Sequence, residues 1–282
     1  MTPAAAAGFL PHHSLVRAQG AEPSRWLVVL HGILGSGDNW RLFARKLCEK
    51  APGWGVCLID QRGHGQSQGA PPPHTLESAA DDVLRLEAHL GLPVAAIAGH
   101  SFGGKVALTC ILRRSSRLQH TFVLDSAPGV DGGSGGSGKV LDMLEGIAQP
   151  VASREAFVAE VTEHGFSREV ADWLAMSVRR SGDGLRLRID LAAARGMMED
   201  YFARDLWRVV EGAVGTDTLD VVVGGRSDVL RPADRARLRE IAARNPAVRV
   251  TVLENAGHWV HAEDPEGLLA VLASALLAPP SR

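Results

Sequence analysis

Three G-x-S-x-G matches occur in this 282-residue chain, at 65–69, 99–103 and 132–136. The pattern matters because a serine hydroxyl keeps its proton at neutral pH. It attacks a carbonyl only when a tight turn exposes it and a base stands beside it. With 31 glycines in the chain the bare pattern is weak, and context separates the three matches. The first lies in a loop that runs into Pro71-Pro72-Pro73, and the third lies in a Gly/Ser stretch. Gly99-His100-Ser101-Phe102-Gly103 instead follows the apolar run 94–98 and opens a helical pattern. Strand, turn and helix in that order are what a nucleophile elbow needs, so Ser101 is the candidate nucleophile.

Its partners must come from other loops. His258 stands in Asn255-Ala256-Gly257-His258-Trp259, after the apolar run 248–253. Asp228 stands in Gly225-Arg226-Ser227-Asp228, after the run 219–223. Loops that follow the strands of a parallel sheet emerge at one edge, so Ser101, Asp228 and His258 converge there as nucleophile, orienting acid and base. His261 competes as the base, but Gly257 gives His258 the freer backbone. Asp125, at the end of the run 121–124, is the alternative acid. The chain order Ser, Asp, His favours Asp228 over it, although an Asp in that place also serves as an ordinary helix N-cap.

Acyl transfer puts negative charge on the carbonyl oxygen, which needs two N–H donors facing it. The backbone of Phe102 is one candidate. The other is Ile33, in His31-Gly32-Ile33-Leu34-Gly35-Ser36, where two glycines let the backbone approach closely.

The elements that must carry these residues can be read from periodicity. Short apolar strands are expected at 26–30, 56–59, 94–98, 121–124, 219–223 and 248–253, with a weaker one at 14–17. Helical patterns at 42–50, 76–90 and 104–114 alternate with them. Alternation of this kind predicts an α/β fold, with a parallel sheet covered by helices on both faces. Between 127 and 218 only helical patterns are read, at 139–147, 154–164, 168–180 and 189–211, entered through a Gly/Ser hinge at 131–138. The expected plan is an N-terminal segment 1–25, a core in two parts at 26–126 and 219–282, and a helical lid at 127–218 between them.

Composition narrows the classes. A net charge of −2, with no run of Lys or Arg longer than two, argues against a nucleic-acid partner. The longest apolar run, 268–278, falls short of the roughly 20 residues a membrane helix needs. Three scattered cysteines, Cys48, Cys57 and Cys110, read as reduced thiols and a cytoplasmic protein. The first 21 residues, Ala-rich and free of acids, also fit an organellar transit segment.

Four ordered motifs carry a family resemblance. His31-Gly32-Ile33-Leu34-Gly35-Ser36 with Asn39-Trp40, Asp60-Gln61-Arg62-Gly63-His64-Gly65-Gln66-Ser67, Gly99-His100-Ser101-Phe102-Gly103-Gly104-Lys105 and Gly257-His258-Trp259-Val260-His261 together resemble the α/β-hydrolase superfamily. The likeness is greatest to its small lidded serine esterases and acyl hydrolases, and it extends over residues 26–272. The resemblance implies a mostly parallel sheet of about seven to eight strands, with a helical lid inserted after the sixth strand. It also implies the nucleophile, base and oxyanion roles argued above, and a mainly structural turn at 60–67. In some members the acid follows the sixth strand, which keeps Asp125 open beside Asp228.

The expected activity is cleavage of a small carboxylic ester or thioester through an acyl-enzyme, with no metal or organic cofactor. Activity should rise with pH as His258 loses its proton. The alternative is a ligand-binding receptor or carrier on the same fold with little turnover. Gly99-x-x-x-x-Gly104-Lys105 also satisfies the phosphate-loop pattern, but Val106 stands where that motif needs Ser or Thr for its metal. Ser101 in place of Asp argues against dehalogenase or epoxide-hydrolase chemistry. Met143, Met176, Met197 and Met198 with Phe157, Trp173, Tyr201, Phe202 and Trp207 concentrate in the lid, where most are expected to pack helices and some to line an apolar pocket.

Overall fold

Strands that are apolar at every position need cover on both faces, and the fold supplies it. The computed structural model describes residues 8–130, 136–182 and 184–278. The chain runs through β1 (His13–Val16), β2 (Arg25–Leu30), α1 (Arg41–Lys50), β3 (Trp54–Ile59), α2 (Leu76–Leu90), β4 (Val94–His100), α3 (Phe102–Arg113) and β5 (Leu118–Leu124). Then come α4 (Gly136–Gly146), α5 (Arg154–Glu163), α6 (Arg168–Ala175), β6 (Val178–Ser181), β7 (Gly184–Leu187), α7 (Leu191–Ala203) and α8 (Trp207–Gly212). The last stretch is β8 (Thr216–Gly224), α9 (Pro232–Arg244), β9 (Val248–Leu253), α10 (Val260–Glu263) and α11 (Pro265–Leu277).

The main sheet has seven strands in the order β1-β3-β2-β4-β5-β8-β9. Only β1 runs antiparallel, against β3. Side chains of β2 divide by period two: Trp26, Val28 and Leu30 join one apolar cluster, Leu27 and Val29 the other. The first cluster includes α2 and α3 (Val83, Val106, Ile111), the second α1 and α11 (Phe43, Leu47, Leu272, Leu276). The sheet is therefore clothed on both sides, as the apolar runs required.

Three expectations change. The insertion follows the fifth strand of this chain rather than the sixth, because a single strand, β1, precedes β2. It is also not purely helical. The stretch read as one helix at 168–180 ends at Ala175, and β6 and β7 form an antiparallel hairpin pairing Val178 with Leu187. Gly182, at φ +55, takes a turn conformation that a helix does not allow. The stretch read at 189–211 divides into α7 and α8, where Arg204 turns extended. Of the expected hinge, residues 131–135 lie outside the described residues, and α4 already begins at Gly136.

Among the bonds that tie the insertion to the core, two sets stand out. The Gly65 amide donates to Arg188 O at 2.9 Å, and the Asp190 amide to Gly63 O at 2.7 Å, so the turn after β3 pairs with the chain after β7. The buried Lys105 ammonium on α3 donates to the carbonyls of Gly129, Tyr201 and Arg204 at 2.8, 2.6 and 2.8 Å. That lysine joins α3 to the end of α7 and is committed to protein carbonyls, unlike the lysine of a phosphate loop. No described helix is long and apolar enough to cross a membrane. Cys48, Cys57 and Cys110 are unpaired and buried.

Candidate active site

Ser101 sits between β4 and α3 at φ 53, ψ −120, a conformation that side chains rarely adopt. Such strain costs about 1–3 kcal/mol and persists only where the surroundings enforce it. Here they do. A Cβ on Gly99 would lie 1.9 Å from Gly103 O, and one on Gly103 would lie 2.6 Å from the carbonyls of Leu30 and His31. The two glycines let strand and helix meet closely enough to lift the serine out of the turn. The Ser101 amide anchors it by donating to Leu124 O at 2.9 Å.

The imidazole of His258 spans the site. Its Nε2 lies 3.1 Å from Ser101 Oγ, and its Nδ1 lies 2.8 Å from Asp125 Oδ2. A carboxylate only accepts, so Nδ1 carries the proton and Nε2 faces the serine with a lone pair. Asp125 is fully buried and sits at φ 44. Its carboxylate also accepts from the Gly224 amide at 2.9 Å and the Ser227 hydroxyl at 2.5 Å. Three donors around a buried carboxylate are what make its burial tolerable.

The carboxylate that meets His258 is thus Asp125, the alternative, and not the expected Asp228. Asp228 is exposed and lines the cavity, and the Nδ1 of His258 is bonded to Asp125 instead. β5, which leads into Asp125, lies beside the strand that precedes Ser101, and His258, after β9, reaches Asp125 across the end of β8. Arg235 completes the arrangement by donating to the carbonyls of Gly224, Ser227 and Leu230. The loop after β8 thus presents the Ser227 hydroxyl to Asp125 and leaves Asp228 outside. His261, the competing base, stacks on Trp40 at 4.1 Å between ring centres instead of meeting the serine.

Ile33 and Phe102, the expected oxyanion donors, both lie close to Ser101 in the fold. A Cβ on Gly32 would come within 3.3 Å of Ser101 Cβ, so the loop after β2 passes against the nucleophile. The amides of Ile33 and Phe102 have no hydrogen-bond partner among the described residues. One contact was not anticipated. His100 donates from Nε2 to the carbonyl of His258 at 2.8 Å, bracing the backbone that carries the base. Burial pushes His100 well below its ordinary value and His261 down to about 4, with the neighbouring His258 adding to both. Both rings are neutral walls.

A cavity of about 660 Å³ opens over Ser101. Trp173, Met198, Tyr201 and Phe202 from the insertion line it, with Ile33 and Trp259 from the core. Met143, Met197, Phe157 and Trp207 are buried in packing instead, and Met176 is exposed. No group of three or more His, Cys, Asp or Glu among the described residues is placed to hold a metal ion.

The chain is 27% identical over 262 residues to the sn-1-specific diacylglycerol lipase ABHD11 of Mus musculus, covering 89% of this chain and 80% of that one. It is 26% identical over 263 residues to esterase YbfF of Escherichia coli, covering 90% and 94%. A solved marine microorganism esterase superposes with a TM-score of 0.80 at 25% identity, over 95% of this chain and 99% of that chain. The profile of the alpha/beta hydrolase fold matches residues 25–265. The chain belongs to that family.

Proposed function

We propose that the protein is a serine hydrolase cleaving a small carboxylic ester or thioester through an acyl-enzyme. One observation carries the reading: the His258 ring bridges Ser101 Oγ and the buried Asp125 carboxylate, at 3.1 and 2.8 Å. Ser101 Oγ attacks the acyl carbon while His258 Nε2 takes its proton. The tetrahedral oxyanion is held by the amides of Ile33 and Phe102. His258 then returns the proton to the departing alkoxide or thiolate, leaving Ser101 acylated. Water attacks the acyl-enzyme, His258 takes its proton, and breakdown of the second oxyanion frees the acid and restores the serine. Asp125 keeps the imidazole in its Nδ1–H tautomer and stabilises the imidazolium. It takes the role first assigned to Asp228.

In this reading residues 127–218 form a lid over a core made by 26–126 and 219–282. Relatives named as a lipase and an esterase support the reaction class. The apolar lining of Trp173, Met198 and Phe202 supports an uncharged acyl or alkyl group as the substrate portion held there.

The test is intact-mass labelling with a fluorophosphonate. A single adduct on the wild type, absent from Ser101→Ala and slowed in His258→Ala, is the expected result. No adduct on folded wild type would overturn the reading in favour of a receptor or carrier on this fold.

A further inference from the structure

The loop after β2 is gripped by two buried imidazoles that the proposed reaction does not use. His31 Nε2 accepts from the Gln61 amide at 3.0 Å, so its proton is on Nδ1, which donates to Gly32 O at 2.7 Å. His64 Nε2 accepts from the Leu34 amide at 3.1 Å, and its Nδ1 donates to Arg62 O at 2.9 Å. The rings lie 5.1 Å apart, both buried.

These bonds act on the two peptide planes that flank Ile33. A trans peptide points its N–H opposite its C=O. The plane bearing the Ile33 N–H has its carbonyl, Gly32 O, held by His31 and by the Gly35 amide at 3.1 Å. Its N–H is therefore turned away from those donors. The next plane has its N–H, that of Leu34, held by His64. Leu34 sits at φ 65, unfavourable for a branched side chain, so the loop needs a restraint at this residue.

We infer that His64 is a positioning residue for the oxyanion hole, holding the Leu34 amide so that the neighbouring Ile33 N–H stays turned toward the reacting carbonyl oxygen. The inference rests on the reaction proposed above and gives one atom of the turn at 60–67 a part in it. The ring is fitted to the task because burial, with the charge of His31 adding, lowers it to about 3. Its Nε2 remains an acceptor across the working range.

The experiment compares His64→Asn with His64→Gln. Asn reaches only the position of Nδ1 and keeps the bond to Arg62, whereas Gln places an acceptor oxygen where Nε2 stands. On a 4-nitrophenyl ester, His64→Asn should lower kcat about 10- to 100-fold, since removing an oxyanion donor outright costs about 10²–10³. KM should stay within about threefold and the shape of the pH profile should hold, because the loss falls on the transition state alone. His64→Gln should recover most of kcat. Equal rates in the two variants, a loss confined to KM, or a kcat that merely follows the melting temperature would overturn the inference.

An arm on the wild type does not depend on either variant folding. Nitrogen NMR should show a through-bond coupling between the Leu34 amide and His64 Nε2, and an uncoupled amide would overturn the inference. Ser101→Ala, run in parallel, separates the two levels. If it still turns over, the reaction itself is wrong. If it is dead while His64→Asn matches wild type, only the positioning role falls.

Discussion

Ser227 Oγ and His258 Nδ1 donate to the same oxygen, Oδ2 of Asp125, at 2.5 and 2.8 Å. The loop after β8 therefore contributes to the surroundings of Asp125, the acid of the proposed reaction, through Ser227 rather than Asp228. It neutralises part of the charge that Asp125 offers to the imidazole and fixes the direction of that oxygen.

The two candidate acids should separate cleanly. Asp125→Asn reverses the tautomer that His258 must hold, and kcat should fall by roughly 10³- to 10⁴-fold. Asp228→Asn, on an exposed side chain at the cavity mouth, should change kcat by less than about threefold, a surface effect. Steady-state hydrolysis of one activated ester by both variants decides it, and a larger loss in Asp228→Asn would reverse the assignment.

Removing the Ser227 hydroxyl tests the shared oxygen. A hydrogen bond to a charged group contributes about 1.5–3 kcal/mol. Ser227→Ala should lose stability of that order in urea unfolding and slow fluorophosphonate labelling, while substrate affinity holds. Unchanged labelling and unchanged stability would mean that the contact carries no energy.

Lys105 should matter to the fold more than to the chemistry. Lys105→Met fills similar volume but removes the ammonium donor from three carbonyls, of which Tyr201 O keeps the Arg204 amide, and unsatisfied buried acceptors cost about 1–3 kcal/mol each. The melting temperature should drop while residual activity per folded molecule stays near wild type. A variant as stable as the parent would show that the carbonyls find other partners.

Stability should also fall in mild acid. In the fold, burial holds His64 near 3 and His261 near 4, below the ordinary 6.5, whereas the unfolded chain's imidazoles protonate at the ordinary value. Each such group leaves stability untouched above pH 6.5 and removes it as pH falls from 6.5 toward the folded value. The loss accrues at about 1.4 kcal/mol per pH unit per group. Urea midpoints at pH 7.5 and 5.0 measure it, and His261→Phe should flatten part of the slope. A midpoint that stays level across that range would contradict the neutral-wall picture.

The meeting of Ser101 and His258 was legible because each is announced locally, by glycines that permit a tight turn at the end of an apolar strand. The Nδ1 partner of His258 was not, since Asp125 and Asp228 both follow strands and β8, which precedes Asp228, is the nearer neighbour of β9. Only the loop's course decides, presenting Ser227 and leaving Asp228 exposed. The hairpin of β6 and β7 was hidden in a segment whose apolar spacing fits either period, and only Gly182 marks the turn. His64 carried no local signal at all: its partner amide is 30 residues away in the chain.

The seam between the turn after β3 and the chain after β7 has a consequence for how the pocket fills and empties. Gly63 and Gly65 hold that chain by main-chain bonds, and the Ser177 hydroxyl donates to Leu34 O at 3.2 Å. On this side the roof is stitched to the same residues that bear the oxyanion loop. Prising it up would drag Leu34 with it and spoil the site it was uncovering. For the proposed reaction this means that a substrate entering without breaking the seam leaves the loop that bears Leu34 undisturbed.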